Sequence, residues 1–406
     1  MSRPRRSPAA AAEDGPLFAA VVLLVGSIIR VGASIYLPAM PLIGEKLAID
    51  RAQMSHTLTV YFVVFASCIV VAGMLSDAYG RRPVLLAGMV FFILGSAVCA
   101  TAHGYAPLIA GRAIQAFGAS MIPGTLIAMV RDACSDLRVV SLIGWLAVLG
   151  GLCLVGAPML GGLLTSALGW RANFWFLVFF TLAVLVVTWL QVPETHPEEV
   201  RIPLHPGKTL ALTGSMLTSS AFLLVLLPVI AFFALQGAFL AAAPYIVMNG
   251  YGLSPAAFGA SNIVIVIGLF SGRGFGTWLF RRWGGVKVYR CGGLAALVAG
   301  LAFLGLGRGW FSGLWGFLLV AGLFAAVFGI LAPVGMKSSV TAFRTHSGVA
   351  AALQGALLLG ASALGSAAVG LLLKHFPGLG VEAVFALVSG PLCLLAAVTA
   401  GWSRPV

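Results

Sequence analysis

Runs of apolar residues, each separated from the next by a short polar segment, follow one another along the whole chain of 406 residues. A helix needs about 20 apolar residues to cross a hydrocarbon layer of about 30 Å. The pattern predicts twelve membrane-spanning helices, near residues 17–40, 54–75, 83–102, 106–130, 139–166, 173–192, 221–247, 257–279, 288–307, 310–334, 347–373 and 378–402. The fold class that follows is an all-α integral membrane protein.

The longest polar segment, near residues 193–208, separates the first six predicted spans from the last six. This spacing predicts two six-helix bundles, at 17–192 and 221–402, joined by a linker at 193–220. Short tails remain at 1–16 and 403–406. Two halves of this kind are typical of transporters that bind their substrate between them.

Composition and charge further restrict the kind of protein and its partners. Hydrophobic residues make up 60% of the chain and charged residues only 9%, against about 25% charged in a soluble domain. The formal net charge of +13 does not indicate nucleic-acid binding, because the basic residues are spread over short connections and form no basic, aromatic-interleaved patch. We therefore expect a lipid bilayer as partner and no nucleic acid.

Lysine and arginine residues are distributed unequally between the two ends of the predicted spans. With the N-terminus on the inside, seventeen of the 24 lie at the inner ends, Arg273 counted among them, and five lie outside. The remaining two, Arg30 and Arg112, fall within spans. The positive-inside rule therefore predicts that both termini of this multi-pass protein lie in the cytoplasm.

A charged motif follows the second predicted span. Its marked residues are Gly73, Asp77, Gly80, Arg81 and Arg82. The segment resembles the G-x-L-x-D-R-x-G-R-R signature of the major facilitator superfamily, except that position 78 is Ala. The resemblance implies a gating latch at the cytoplasmic border, in which the aspartate accepts hydrogen bonds from a helix N-terminus or from nearby arginines.

The fourth predicted span contains Arg112 and, three residues later, Gln115. The segment is similar to the R-x-x-Q-G motif of the same superfamily, with Ala116 in place of the glycine. An arginine within a span is costly unless it faces a cavity or a partner, so Arg112 is a candidate functional residue. The alternative is a structural role, in which it bonds only backbone carbonyls.

The fifth predicted span contains a glycine-rich segment. Its marked residues are Gly156, Pro158, Gly161 and Gly162. They look like the G-P-x-x-G-G antiporter motif of exporters, although tight helix packing alone also explains such glycines. Further similarities at 34–39, 130–132, 169–171, 193–195 and 251–255 resemble the Bcr/CflA-type branch of drug/proton antiporters, which implies efflux, possibly proton-linked.

The chain departs from that branch in its first span, where Ser34 occupies the position of the usual carboxylate and no acidic residue lies deep within a predicted span. Arg30 lies there instead, at a predicted depth similar to that of Arg112, unless its side chain extends outward to the interface. The expected substrate or coupling residues are Arg30, Ser34, Tyr36, Arg112, Gln115 and Gln236. Two unpaired arginines favour an anionic or zwitterionic substrate, or a polar chelator.

We expect a monomeric exporter of drugs or metabolites, or a dedicated siderophore or metabolite exporter. An importer on the same scaffold remains open, although the fifth-span motif counts against it. A membrane-embedded enzyme would need clustered His, Asp or Cys in the spans, and the sequence has none, so no catalytic residue, metal or cofactor is expected. A sensor or scaffold would need a soluble domain, and both tails are short.

Overall fold

The computed structural model describes residues 15–201, 206–307, 313–341, 343, 347–376 and 381–402, and all regular elements among them are helical. Eleven described spans are long and apolar enough to cross a membrane: Pro16–Leu47, Arg51–Tyr79, Arg81–Ala100, Tyr105–Ala133, Asp136–Leu168, Arg171–Gln191, Phe222–Gly250, Pro255–Trp283, Gly285–Phe303, Leu314–Val340 and Gly348–His375. A shorter apolar stretch, Ala383–Thr399, forms most of the last helix, Val381–Trp402. The predicted all-helical fold with twelve spans is confirmed.

Several spans are broken rather than continuous. The first consists of the helix Pro16–Ser34, a 3-10 turn at Leu37–Ala39 and the helix Met40–Leu47. Prolines at 38 and 41 account for the break, since a proline supplies no backbone N–H and disfavours helical conformation in the residue before it. The predicted end at residue 40 was therefore too early, because helix resumes after the break.

The fourth, seventh and eighth spans also change geometry within their length. The fourth consists of Tyr105–Ser120 and Ile122–Ala133. The seventh runs from Ser220 to Pro244 and continues as a π-helix at Tyr245–Gly250. The eighth consists of Pro255–Ser261 and Ile263–Trp283. Such breaks are tolerated in membrane helices where neighbouring elements satisfy the freed backbone groups.

The linker predicted at 193–220 is partly helical. It contains a 3-10 turn at Glu198–Val200 and the helix Pro206–Leu217, and the seventh span starts directly after it. The predicted tails, apart from Gly15 and Pro16, lie outside the described residues.

Large apolar side chains cover much of the helix surface. Trp315, Leu319 and Leu364 are each at least 70% exposed, and Phe179 is 64% exposed. A protein in water would not leave apolar surface of this extent uncovered. The described surface is thus that of a helix bundle whose solvent is lipid, which makes this a multi-pass membrane protein.

The two halves, which we define as spans one to six and seven to twelve, are joined by hydrogen bonds near one end. There the Ser366 hydroxyl donates to the carbonyl oxygen of Ser55 at 3.0 Å, and the Thr59 hydroxyl donates to Ser366 at 3.2 Å. The opposite end carries the charged motif around Asp77. We refer to the two as the contact end and the motif end.

Candidate functional site

A small cavity lies between the two halves. The first half contributes Ser34, Leu37, Leu154 and Pro158 to its lining. The second half contributes Phe232, Gln236, Phe239, Leu240, Asn262, Ile265, Leu269, Ala321, Phe324, Ala325 and Phe328. Its volume is about 80 Å³, whereas a drug-sized ligand needs a pocket of at least about 300 Å³. A ligand of that size enters only if the halves move apart.

Three polar side chains line this cavity, and they differ in availability. The Ser34 hydroxyl donates to the carbonyl oxygen of Arg30 at 2.9 Å, four residues earlier in the same helix. The Asn262 amide donates to the carbonyl oxygen of Phe258 at 2.9 Å. The Gln236 amide makes no hydrogen bond to any described residue. The structure therefore places two predicted residues, Ser34 and Gln236, at the cavity, with Gln236 the freer of the two.

Arg30 is also accessible between the halves, although it lies beside the cavity lining rather than in it. Its side chain is exposed although it originates fourteen residues into the helix Pro16–Ser34. A Cβ at Gly150 of the fifth span would lie 3.0 Å from the Arg30 guanidinium carbon, so a glycine makes room for this side chain. The guanidinium group makes no hydrogen bond to the part of the chain that the structure describes.

Arg112 and Gln115 lie in a different place. Both are fully buried inside the first half. An Arg112 nitrogen donates to the Gln115 side-chain oxygen at 2.6 Å and to the carbonyl oxygen of Gly32 at 3.4 Å, and Gln115 donates to the Ser96 hydroxyl at 2.7 Å. The structure does not place Arg112 at the cavity lining, and its hydrogen bonds go to one side chain and one backbone carbonyl of the first half.

Tyr36 belongs to the same buried group. The Arg112 guanidinium carbon lies 4.3 Å from the centre of the Tyr36 ring and 4.2 Å from that of Tyr61. The Tyr36 hydroxyl shares a hydrogen bond of 3.2 Å with the Thr57 hydroxyl. Two ring faces and two oxygen acceptors thus stabilise a buried positive charge that has no acidic partner among the described residues.

The motif end carries a network of charges within the first half. Arg81 pairs with Asp77, and its Nε also donates to Asp132 at 3.2 Å. Another Arg81 nitrogen donates to the Ser76 hydroxyl at 3.2 Å. His196 approaches the same Asp132 oxygen at 3.9 Å. The predicted pairing of Asp77 with a nearby arginine is therefore present.

Glu194 caps the third span in this network. Its carboxylate accepts hydrogen bonds from the backbone amides of Arg81 at 3.0 Å and Arg82 at 3.2 Å, the first two residues of the helix Arg81–Ala100. Gly80, with φ 101°, turns the chain in a conformation that glycine adopts without strain. A Cβ there would lie 2.6 Å from a Glu194 oxygen. Position 80 therefore needs glycine for two reasons.

Gly73 and Arg82 complete the predicted motif. No described residue lies within 4 Å of a Cβ built at Gly73, so in this conformation the glycine does not provide a close approach to a neighbour. Arg82 donates to the carbonyl oxygen of Trp189 in the sixth span at 2.6 Å. The motif thus ties together the second, third and sixth spans and the start of the linker.

The glycines of the fifth span pack directly against backbone. A Cβ at Gly161 would overlap the carbonyl oxygen of Ile35 in the first span, and one at Gly162 would overlap that of Pro255 in the eighth. Conversely, a Cβ at Gly259 would overlap the carbonyl oxygen of Pro158. Gly156 has open space within 4 Å. The first half thus contacts the second, backbone to backbone, near the contact end.

A wider cleft opens at the contact end, with a volume of about 630 Å³. It is lined by Glu45, Asp50 and Arg51 from the first half and by Tyr245 and Asn249 from the second, among others. The Arg51 guanidinium carbon lies 5.8 Å from the centre of the Tyr245 ring. Among the described residues, no group of three or more His, Cys, Asp or Glu side chains is placed to hold a metal.

Arg273 is the residue that sequence reasoning placed wrongly. It was counted with the inner ends, but it lies ten residues before the end of the helix Ile263–Trp283, which is about 15 Å along the axis. Its guanidinium carbon lies 5.9 Å from the centre of the Phe270 ring, and its Nε is buried without a hydrogen-bond partner. Sixteen inner positive charges still outnumber five, so the topology argument is unchanged.

Comparison with known proteins agrees with this architecture. Residues 22–311 match the family model described as Major Facilitator Superfamily. The chain is 29% identical over 260 residues to the "Uncharacterized MFS-type transporter YdgK" of Bacillus subtilis (strain 168), covering 62% of this chain and 65% of the relative. It is 31% identical over 166 residues to the "Multidrug resistance protein MdtL" of Escherichia coli O81 (strain ED1a), covering 41% and 42%. In both cases the match spans less than two thirds of the relative's length.

Solved structures agree on the fold over nearly the whole chain. A D-xylose-proton symporter superposes with a TM-score of 0.74 at 16% identity, covering 95% of this chain and 96% of that one. The human organic anion transporter MFSD10 (TETRAN) superposes with a TM-score of 0.67 at 21% identity, covering 95% and 100%. Since the family model matches more than half of its residues, the chain belongs to the major facilitator superfamily.

Proposed function

We propose that this protein is a secondary-active exporter of small organic compounds that works by alternating access. The observation that supports this most directly is the cavity between the halves, which takes Ser34 from one half and Gln236 from the other. A site of this kind is open to one side of the membrane at a time as the halves rock against each other.

Efflux as the direction rests on two observations. One relative is named a multidrug resistance protein, and the fifth span carries the glycine-proline segment that resembles the antiporter motif. Everted membrane vesicles test the direction: an energised exporter accumulates substrate in them. Accumulation only in right-side-out vesicles would instead identify an importer.

We further propose that the substrate is anionic, zwitterionic or a polar chelator. The cavity lining contains no acidic residue to balance a lipophilic cation, and Arg30 is accessible beside it. An uncompensated positive charge within the membrane acts strongly on a ligand, because the surrounding dielectric constant is low. A cation would be repelled, whereas a carboxylate would be attracted.

An efflux panel in a pump-deficient host tests this substrate class. A permanently cationic dye, a carboxylated dye and a hydroxamate siderophore are compared in wild type, Arg30→Ala and Ser34→Asp. We expect efflux of the carboxylated compound or the chelator by wild type, loss in Arg30→Ala, and a shift toward the cation in Ser34→Asp. Robust efflux of the cationic dye, unchanged in Arg30→Ala, would restore a generic multidrug function, and selective efflux of the chelator alone would favour a dedicated siderophore exporter.

The proposed placement is the bacterial inner membrane, with the motif end and both termini in the cytoplasm and the protein acting as a monomer. The basic residues at that end support this orientation. Alkaline phosphatase fused after Arg404 should be inactive, and periplasmic activity of the fusion would reverse the topology. Proton coupling, if it operates, runs through the substrate or through border acids such as Asp77, since Ser34 carries no titratable proton in the useful range.

A further inference from the structure

Two arginines, one from each half, come near each other beside the central cavity. Arg30 originates about 21 Å from the motif-end start of its helix, and Arg273 about 15 Å from the motif-end terminus of its own. In a hydrocarbon layer of about 30 Å both lie well inside the membrane.

The fifth span lies beside both arginines. Gly150 faces the Arg30 guanidinium group. At the next position, a Cβ on Gly151 would overlap the ring of Phe270, and that ring lies beneath Arg273. Two adjacent glycines of the fifth span therefore leave space for Arg30 of the first span and for Phe270, which supports Arg273, of the eighth.

Neither guanidinium group has a hydrogen-bond partner among the described residues. Arg30 makes no hydrogen bond through its side chain and is exposed, and the Arg273 Nε is buried without an acceptor. Arg112 differs from them: its Nε and one terminal nitrogen also lack a hydrogen-bond partner, but it has two close ring faces and two oxygen acceptors. Two like charges without hydrogen-bond acceptors inside the membrane are stabilised by an anion that binds both.

We propose that Arg30 and Arg273 together bind one oxyanion group of the substrate, a carboxylate, phosphate or sulfonate, across the boundary between the halves. The bound anion replaces repulsion between the two arginines by attraction of both to one group, so occupancy of the site draws the halves together at that depth. An arginine fork fits such planar or tetrahedral oxyanions through paired hydrogen bonds. This inference rests on the proposed function only in assigning the site to a transported substrate.

The test measures anion binding without transport. The full-length protein, purified in lipid nanodiscs of zwitterionic lipid, is heated with benzoate or sulfate against chloride at equal ionic strength, and the unfolding midpoint is recorded. The variants are Arg30→Gln, Arg273→Gln and their double. Arg281→Gln is the matched control, because Arg281 is an exposed arginine of the same helix as Arg273.

For wild type and Arg281→Gln we expect a higher midpoint with benzoate or sulfate than with chloride. Each single cavity variant should weaken the apparent anion affinity by about tenfold or more, and the double variant little further, because both arginines act on one anion. Without anion, Arg273→Gln should unfold at a higher temperature than wild type, since the repulsion is removed. A variant that merely fails to fold would show the opposite sign.

Undiminished anion stabilisation in Arg273→Gln, or an equal loss in Arg281→Gln, would overturn the proposal. Failure of the proposed function has a different signature. If the anion site behaves as expected but everted vesicles accumulate no anionic compound, the site stands and the export assignment falls. If carboxylated compounds are exported equally well by Arg273→Gln, the export assignment stands and the two-arginine site falls.

Discussion

The guanidinium carbon of Arg112 lies 4.2 Å from the centre of the Tyr61 ring, within a group of the first half that also contains Gln115 and Tyr36. The charge is neutralised by polarisable faces and oxygen dipoles rather than by an acid. Arg112 is 0% exposed. The network therefore acts on the stability of the first half rather than directly on a ligand.

The first prediction concerns that network. Gln115→Leu removes the 2.6 Å acceptor of Arg112 and should lower the free energy of unfolding by about 2 kcal/mol or more, the cost of an unsatisfied buried charged donor. Tyr61→Phe is the control: its hydroxyl has no hydrogen-bond partner, and the ring face is kept. Unfolding in detergent, followed by tryptophan fluorescence, measures both. Equal stability of Gln115→Leu and wild type would show that the hydrogen bond contributes little.

The second prediction concerns Asp77, which pairs with Arg81 at the motif end. Asp77→Asn should abolish transport while leaving the protein inserted, because it removes one of the two carboxylates that pair with Arg81 but none of the apolar packing. Glu199→Gln, an exposed acid of the linker, is the control. Efflux is compared at matched expression. Wild-type efflux by Asp77→Asn would refute the latch.

The third prediction concerns Glu194, whose carboxylate accepts from the amides of Arg81 and Arg82. Glu194→Gln keeps one acceptor oxygen but loses the negative charge at a helix N-terminus, an interaction of about 1 kcal/mol in a partly buried setting. We expect a lower unfolding midpoint at low salt and a smaller difference from wild type at 1 M salt, where charge interactions are screened. A salt-independent difference would mean that geometry, not charge, is what the substitution disturbs.

The fourth prediction separates the glycines of the fifth span. Gly161→Ala meets the Ile35 carbonyl oxygen within the first half and should lower stability by about 1–3 kcal/mol. Gly162→Ala meets Pro255 across the halves and should reduce transport more than stability, because it forces the halves apart at the contact end. Gly156→Ala, where space is open, should retain transport. Loss of transport in Gly156→Ala equal to that in Gly162→Ala would rule out backbone contact as the cause.

The sequence predicted the spans well, since the length of an apolar run reports directly on membrane crossing. It did not predict on which face a charged side chain lies. Arg30 and Arg112 have similar predicted depths along the membrane normal. The Arg30 side chain nevertheless faces the cavity region, whereas the Arg112 side chain faces the interior of the first half. Axial position can be read from hydropathy, whereas rotation about the axis depends on packing against other spans.

Contacts between residues far apart in the chain were the second feature that could not be predicted from the sequence. The carboxylate of Glu194 accepts a hydrogen bond from the backbone amide of Arg81, 113 positions earlier in the chain. No local sequence pattern predicts this contact. Similarity at 193–195 marked the segment without giving it a role. Arg273 was missed because a basic residue near a predicted helix end reads as a loop charge, although the helix continues past it to Trp283.

The contacts between Gly162 and the Pro255 carbonyl, and between Gly259 and the Pro158 carbonyl, have a mechanical consequence for the proposed cycle. Interlocked side chains must change rotamer when two helices rotate against each other, but backbone lying on backbone has no rotamers to change. The crossing of the fifth and eighth spans therefore acts as a pivot. The halves can tilt about it with little change in packed volume. Its position near the contact end gives the motif end the longer lever arm and so the larger displacement.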